Sequence, residues 1–328
     1  MDLDVVGIGV PCVDLLFNID HLPDKDESLP IQEYSYQGGG KVATALVTLA
    51  RLGEQTGFIG KVGNDKFGKF VTKDFKEHGV DTIHLKYEKA GKTPFSVVLS
   101  DQKTSGRNIL YNKGELETLN YSEIDLDYIK QADFLHMAYP RKLEYEILKE
   151  IENEDITTIF DADFFETAII DLLPFINVLI TSQEFAEGYG ESLDNELDKF
   201  EDILLKLSQE GPEIVVITMG KEGSLIYYEN EVFHQEVFSV ETKDTTGAGD
   251  VYHGAFIYGL LNNKSIKETA KIASAVSAIK TTVIGGRAGI PTAGDLNYFL
   301  KNNAVRITDK KQRIKNYRNN FHIGSELK

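Results

Sequence analysis

Cysteine is almost missing from this chain of 328 residues. The single Cys12 excludes an intrachain disulfide and any metal site built from several thiolates. Uninterrupted apolar runs are short as well, none near the length of a bilayer span, and Met1-Asp2-Leu3-Asp4 lacks the basic start of a secretory signal. A soluble, cytoplasmic protein is expected. Basic charge is scarce: 35 Lys and Arg face 52 Asp and Glu, a net charge of −17. A chain of that sign is not expected to wrap nucleic acid, whose phosphates need the opposite charge. No Gly-x-x-x-x-Gly-Lys-Ser/Thr occurs, which excludes a P-loop. Gly7-Ile8-Gly9-Val10-Pro11 lacks a third glycine and puts proline where a helix should open, so it is no dinucleotide fingerprint. Internal repeats and low-complexity linkers are missing too.

What remains is enough for one large α/β domain, with or without a small appendage: 41% of the residues are hydrophobic and 28 are glycine. Short apolar strands at residues 4–9, 134–137, 158–160, 178–180 and 214–218 alternate with helical segments. That order predicts a parallel sheet covered on both faces, with strand ends lining the ligand crevice. A helix is expected from residue 41 to about Leu52, with Ala43, Leu46, Leu49 and Ala50 at helical spacing and Gly53 as its stop. Segments 15–20, 28–36, 94–100 and 107–111 alternate apolar and polar residues, as strands outside the main sheet do, the last two joined by a polar turn at 101–106. From Lys301 onward eight basic residues face only Asp309 and Glu326. This end reads as a solvated basic tail that packs on the acidic body or on a partner.

Chemistry concentrates in Asp244-Thr245-Thr246-Gly247-Ala248-Gly249-Asp250. The two glycines allow a tight turn that gathers backbone N–H groups, and the helix predicted to follow adds the positive end of its dipole, which makes an anion hole. Asp250, on the first turn of that helix, is placed to take a proton from a hydroxyl attacking a phosphoryl group. A glycine turn with an acidic cap would carry the same letters. Asp14 sits at a strand end, where a carboxylate needs donors and a polyol supplies two.

The string from Asp244 to Asp250 resembles the C-terminal signature of the ribokinase-like sugar kinases, the phosphofructokinase-B family. Gly38-Gly39-Gly40-Lys41-Val42-Ala43-Thr44-Ala45, with Leu52-Gly53, resembles the N-terminal signature, and the likeness runs to about residue 300. It implies an α/β, ribokinase-like three-layer fold: a mostly parallel central sheet with helices on both faces and a small β-sheet lid from about residues 15–37 and 91–113. The kinase domain would span 1–300, followed by the basic tail 301–328. Exposed lid edges imply a homodimer. The implied activity is ATP-dependent phosphoryl transfer to a hydroxyl of a small sugar, with Asp250 as base and Gly247, Ala248 and Gly249 as the anion hole. The sugar is expected at Asp14, Gly39, Gly40, Lys41, Thr44 and Asp250, its close approach allowed by the glycines. The nucleotide is expected at Ser182, Thr218, Gly220, Gly223, Gly247 and Gly249. The family's pattern further implies Mg²⁺ held through water by Glu184, and K⁺ at Asp244, Thr246 and Gly285, with activation by K⁺. Tyr111, His136, Tyr139 and His253 are candidate neighbours of the site, with simple packing the favoured reading of each.

Three departures from the family's pattern matter. Thr44 stands where many members have asparagine, and Ser182 and Phe185 replace an Asn-x-x-Glu pair, which leaves Glu184 one position early. In motif wording the chain is closest to the sulfofructose-kinase branch, whose anionic sugar tail needs buried Arg or Lys; Lys41, Arg107 and Arg141 are candidates. Ser28 and Pro140, however, fall where that branch carries basic residues, so a neutral monosaccharide is the favoured acceptor, Asp14 itself repelling an anion. A nucleoside kinase, a kinase for an anionic sugar such as sulfofructose or a sugar phosphate, and an idle fold that only binds sugar are the alternatives.

Overall fold

The computed structural model describes residues 3–101, 103, 106–193 and 199–320. The first half of the chain forms β1 (Leu3–Ile8), β2 (Cys12–Ile19), β3 (Glu33–Gly39), α1 (Lys41–Leu52), β4 (Thr56–Gly63), α2 (Lys66–His78), β5 (Leu85–Glu88), β6 (Phe95–Asp101), β7 (Arg107–Asn112), α3 (Leu126–Ile129), β8 (Ala132–Ala138) and α4 (Lys142–Glu150). The second half forms β9 (Thr157–Ala162), β10 (Val178–Ser182), α5 (Gln183–Ser192), α6 (Phe200–Gln209), β11 (Ile214–Thr218), β12 (Ser224–Tyr228), β13 (Glu231–Gln235), α7 (Ala248–Leu261), α8 (Ile266–Thr281), α9 (Ala293–Asn302) and α10 (Lys310–Asn319).

Nine strands make the main sheet in the order β13-β12-β11-β10-β9-β8-β1-β4-β5. All neighbours are parallel except the β11-β12-β13 meander at one edge. A central parallel strand has no solvent face, so its sequence is apolar almost throughout: Val5 and Val6 of β1 and Val215, Val216 and Ile217 of β11 are wholly buried. One apolar core lies between the sheet and α1, α2, α7 and α8; the other lies beneath α4, α5 and α6. Helix α7 is apolar almost all round because it is sandwiched between other helices. Gly254 permits its close approach to α1, since a Cβ there would come 2.4 Å from the carbonyl oxygen of Ala45. No helix among the described residues is long and apolar enough to cross a membrane.

The other four strands form the small sheet β3-β2-β6-β7, in which β2 and β6 run parallel and the outer pairs antiparallel. Its second strand starts later than expected, at Glu33 rather than residue 28, and runs through Gln37, Gly38 and Gly39, which pair with Asp14, Val13 and Cys12. Of the turn expected at 101–106, Gln102, Thr104 and Ser105 lie outside the described residues, as does 321–328 at the C-terminal end.

Most of residues 301–320 are exposed, and the segment packs on the body through a few buried side chains. Helix α10 lies against the body with Arg313 and Tyr317 buried. Arg313 donates to the carbonyls of Arg287 (3.1 Å) and Ile290 (2.8 Å), and the Tyr317 hydroxyl donates to Asp74 (2.8 Å). Asp74 also takes the guanidinium of Arg287, which is 0% exposed. A buried pair stripped of one partner leaves an uncompensated charge, so Arg287→Met should destabilise the fold by roughly 3–5 kcal/mol. Tyr317→Phe should cost less, roughly 1.5–3 kcal/mol, the value of a hydrogen bond to a charged group. Urea unfolding of the two variants checks this, and an Arg287 variant no worse than the Tyr317 one contradicts it.

Candidate active site

A cavity of about 850 Å³ opens between the carboxyl ends of the central strands and the small sheet. Asp14 enters it from β2. Its Oδ1 accepts hydrogen bonds from Ser96 Oγ, on the paired strand β6, and from Cys12 Sγ at 3.7 Å. Burial raises its pKa, with the Ser96 bond and Arg287 pulling the other way. Burial and the nearby Asp14 push the Cys12 thiol up, so it serves as a neutral donor.

The three glycines 38–40 answer three separate constraints, and the close neighbours of the first two are protein side chains rather than a sugar. A Cβ on Gly38 would meet the Arg287 guanidinium at 2.1 Å, and one on Gly39 would meet the Asp14 carboxylate at 2.3 Å. Gly40 has φ 96° and faces the Val10 carbonyl oxygen, 2.4 Å from where a Cβ would stand. Directly after it, Lys41 and Thr44 at the start of α1 line the cavity. Thr44 Oγ1 accepts from Arg287 Nε at 3.3 Å.

Lys41 is held by two aspartates at the end of β9, neither singled out from sequence: Asp163 Oδ2 at 2.7 Å and Asp161 Oδ1 at 3.6 Å. Burial acts to lower the lysine's pKa, and the two carboxylates outweigh it, so the group stays charged. Phe160-Asp161-Ala162-Asp163, two carboxylates at the carboxyl end of a strand, was the signal that could have found them. Asp161 also stands 3.8 Å from His253 Nε2, and the His253 ring stacks on His136 with centroids 5.6 Å apart. Burial keeps both imidazoles neutral, that of His136 lowered to about 4.

Opposite Lys41 lies the turn from β13 into α7. Gly247 caps the helix with φ 71°, and Thr246, Gly247, Gly249 and Asp250 line the cavity, while Ala248 begins the helix behind them. Nothing lies within 4 Å of where a Cβ on Gly249 would point, which leaves the helix N-terminus open to an anion. Burial lifts the Asp250 pKa to about 8, helped by Asp161, Asp163 and Asp14 and opposed by Lys41. A carboxyl poised near neutrality is suited to accept a proton.

Tyr139 follows β8 with a left-handed φ of 69° and carries the Arg141 guanidinium over its ring at 4.6 Å. Such strain at a cavity wall is a mark of functional positions. Arg107 of β7 reaches across and donates to Thr245 Oγ1 at 3.0 Å. Tyr111 is 79% exposed at the rim.

Of the residues expected around the nucleotide, Gly247 and Gly249 line this cavity, while Ser182, Thr218, Gly220 and Gly223 lie outside it. Ser182 and Thr218 are register partners at the carboxyl ends of β10 and β11. Ser182 caps α5 by accepting from the Phe185 N–H (3.0 Å) and donates to the Asp163 carbonyl at 2.5 Å. Gly220 and Gly223, with φ 56° and 88°, shape the turn into β12. Glu184 is exposed on the first turn of α5 and does not line the cavity.

The three residues expected to bind K⁺ do meet, but their geometry does not fit a metal ion. Asp244 spends its carboxylate on Thr246 N (2.8 Å), Thr246 Oγ1 (2.7 Å) and Gly285 N (2.7 Å). The carbonyl oxygens of Asp244 and Thr246 both accept from Lys280 Nζ, a residue sequence reasoning passed over.

Comparison with known proteins agrees with this architecture. A family model described as pfkB family carbohydrate kinase matches residues 4–293. The 5-dehydro-2-deoxygluconokinase of Clostridium beijerinckii is 31% identical over 91% of this chain and 93% of its own length. Among solved structures, ribokinase from Thermotoga maritima aligns with TM-score 0.78 and 25% identity over 92% of this chain and 100% of that one. Arabidopsis thaliana ribokinase, complexed with ribose and ATP, aligns with TM-score 0.76 and 20% identity over 92% and 99%.

The crowding of carboxylates here has a direct readout. In ¹³C-labelled protein the Asp250 carboxyl should titrate near pH 8. Asp161→Asn removes a negative neighbour, so the proton should leave at lower pH. A midpoint that does not move, or moves up, contradicts this account of the site.

Proposed function

Because this chain belongs to the pfkB family of carbohydrate kinases, we propose that it transfers the γ-phosphoryl group of ATP to a hydroxyl of a sugar acid, with Asp250 as the general base. The observation that carries this reading is the placement of a near-neutral Asp250 carboxyl beside the open N-terminus of α7, inside one cavity with Asp14 and Lys41. Asp14 and the Gly40 backbone hold acceptor hydroxyls and turn one of them toward Asp250. The Gly247–Gly249 backbone receives charge developing on the transferred group. Arg107, already tied to Thr245 at the mouth of that turn, adds a cation on the phosphoryl side. The nucleotide base lies along the strand ends at Thr218, Gly220 and Gly223. Mg²⁺ neutralises the phosphates when bound; the hard oxygen donor at the cavity edge suited to it is Asp163, with side-chain exposure of 44%, rather than Glu184.

The acid is favoured over the neutral sugar expected from sequence by two observations. Pro140 does not remove the basic group at this point, since Arg141 lines the cavity and is braced by Tyr139. Lys41 lies over the same Tyr139 ring, 5.4 Å from its centroid, and Asp14 is occupied with Ser96 and Cys12 rather than facing the whole pocket. The activity named for the Clostridium relative, on 5-dehydro-2-deoxygluconate, fits that arrangement. We assign the carboxylate of the acceptor to Arg141. The small sheet serves as a lid, and its edge strand β7 exposes Ile109, Leu110 and Tyr111, a face for a second copy of the chain.

Coupled ADP release over 5-dehydro-2-deoxygluconate, fructose, ribose and adenosine tests the acceptor class, with the acid expected to give the highest kcat/KM. Arg141→Gln should cost the acid about 10–100-fold in kcat/KM, the value of one hydrogen bond to a charged group, and leave the neutral sugars unchanged. Equal losses on both would assign Arg141 to the fold instead. Asp250→Asn should lower kcat by about 10²–10⁴-fold with little change in KM for ATP. Light scattering should give a dimer at micromolar concentration, and a monomer there refutes the paired lid.

A further inference from the structure

The fully buried Lys280 is one of the few lysines that a protein interior tolerates, because an ammonium out of water needs acceptors on every side. It comes from the last turn of α8 and donates to two backbone carbonyls of the turn below the cavity, Asp244 O at 3.0 Å and Thr246 O. The same turn is fastened to α8 by hydrogen bonds from Lys243 N (2.8 Å) and Asp244 N (3.1 Å) to the Thr281 carbonyl, and by Ser277 Oγ to the Ala248 carbonyl at 2.7 Å. A trans peptide sets its C=O and N–H on opposite sides. Drawing the Thr246 carbonyl onto the ammonium therefore turns the Gly247 N–H away from the lysine, and Gly247 lines the cavity. Two converging carbonyls backed by the Asp244 carboxylate make a cage for a small cation, and here the chain fills that cage itself. Burial lowers the lysine's pKa to about 8 against the raising pull of Asp244, which leaves it charged at neutral pH.

We propose that Lys280 is a tethered cation that positions the 246–249 turn, so that this kinase works without the monovalent metal ion its cage resembles a site for. Lys280 is a positioning residue: it acts through the backbone, and none of the cavity-lining atoms belong to it. The inference rests on the reading of that turn as the anion hole.

The experiment has three arms. Wild-type activity, measured in chloride salts of K⁺, Na⁺, Cs⁺ and tetramethylammonium at equal ionic strength, should be the same in all four. Lys280→Ala should lose on the order of 10²-fold in kcat, as expected when catalytic groups are misplaced, with a smaller change in KM. Added K⁺ or NH₄⁺ should restore part of that rate and raise the variant's melting temperature, while leaving the wild-type melt where it was. A wild type activated by K⁺ but not by tetramethylammonium overturns the proposal, as does a Lys280→Ala enzyme of full activity in every salt. If the variant does not fold, the wild-type series decides alone. Gly249→Val fills the open side of the turn, and undiminished turnover in that enzyme would sink the anion-hole reading while the melting result for the cation stood.

Discussion

Arg287 is the tie on which the geometry of the site depends. Its guanidinium is out of contact with water, so each of its donors needs an acceptor inside the protein. Asp74 on α2 takes one, Thr44 on α1 another, and the Gly39 carbonyl, at the foot of the lid, a third at 3.0 Å. Its backbone N–H, together with that of Ala288, donates to Gln37 Oε1 (2.8 and 2.9 Å), and its carbonyl receives Arg313 from α10. One residue, through side chain and backbone together, thus gathers the lid's root, the two helices under it and the C-terminal helix. The arrangement is costly to dismantle piecemeal, because removing any partner leaves a buried donor or charge with nothing to replace it. That is why α10, whose sequence looks solvated, belongs to the body: Arg313 and Tyr317 complete this network.

The same logic runs through the catalytic end. Asp161, Asp163, Asp14 and Asp250 act on one another at close quarters, and the carboxylates cannot all hold full charge at low cost. Lys41 attaches to the pair on β9, and the carboxyls left over, Asp14 and Asp250, are the ones whose affinity for a proton rises, that of Asp250 to about 8. The proton affinity of Asp250 comes from burial and then from these neighbours, two of which come from the end of a strand that the motif around it does not include.

What could be read in the sequence was whatever depends on local pattern. The central strands carry short apolar runs, α1 ends at Gly53 in the left-handed conformation expected of a stop, and the glycine turn before Asp250 opens a helix with a positive φ at Gly247. Strand β3 was placed too early because Ser28 to Gln32 alternates in composition, whereas the real strand is set by pairing with β2 and runs into a glycine stretch with no side chains to show a pattern. Glycines 38 and 39 announced that something comes close, but not that it would be Arg287, nearly 250 positions away, or Asp14. Lys280 gave no local hint at all. A lysine in an alanine-rich helix reads as a solvated residue until the fold brings two carbonyls to it.

Charge gives the last step of the synthesis. The chain as a whole carries −17, a field that disfavours the approach of anions such as nucleotide phosphates and a sugar carboxylate. The cavity does not share that imbalance: Lys41, Lys61, Arg107, Lys113 and Arg141 line it together with an equal number of carboxylates. Two of those cations belong to the β7 region of the lid and two others to the strand ends beneath it, so lid and body contribute to the same local compensation. An anion entering between them meets groups from both layers, and Arg107 already bridges the layers through Thr245. With the acid acceptor proposed above, closure over two anionic substrates would strengthen each of these contacts by removing water from between them. A neutral acceptor would leave part of that cationic set without a partner as the water goes, and the cost of desolvating an unpaired cation is the physical ground for the acid acceptor proposed above.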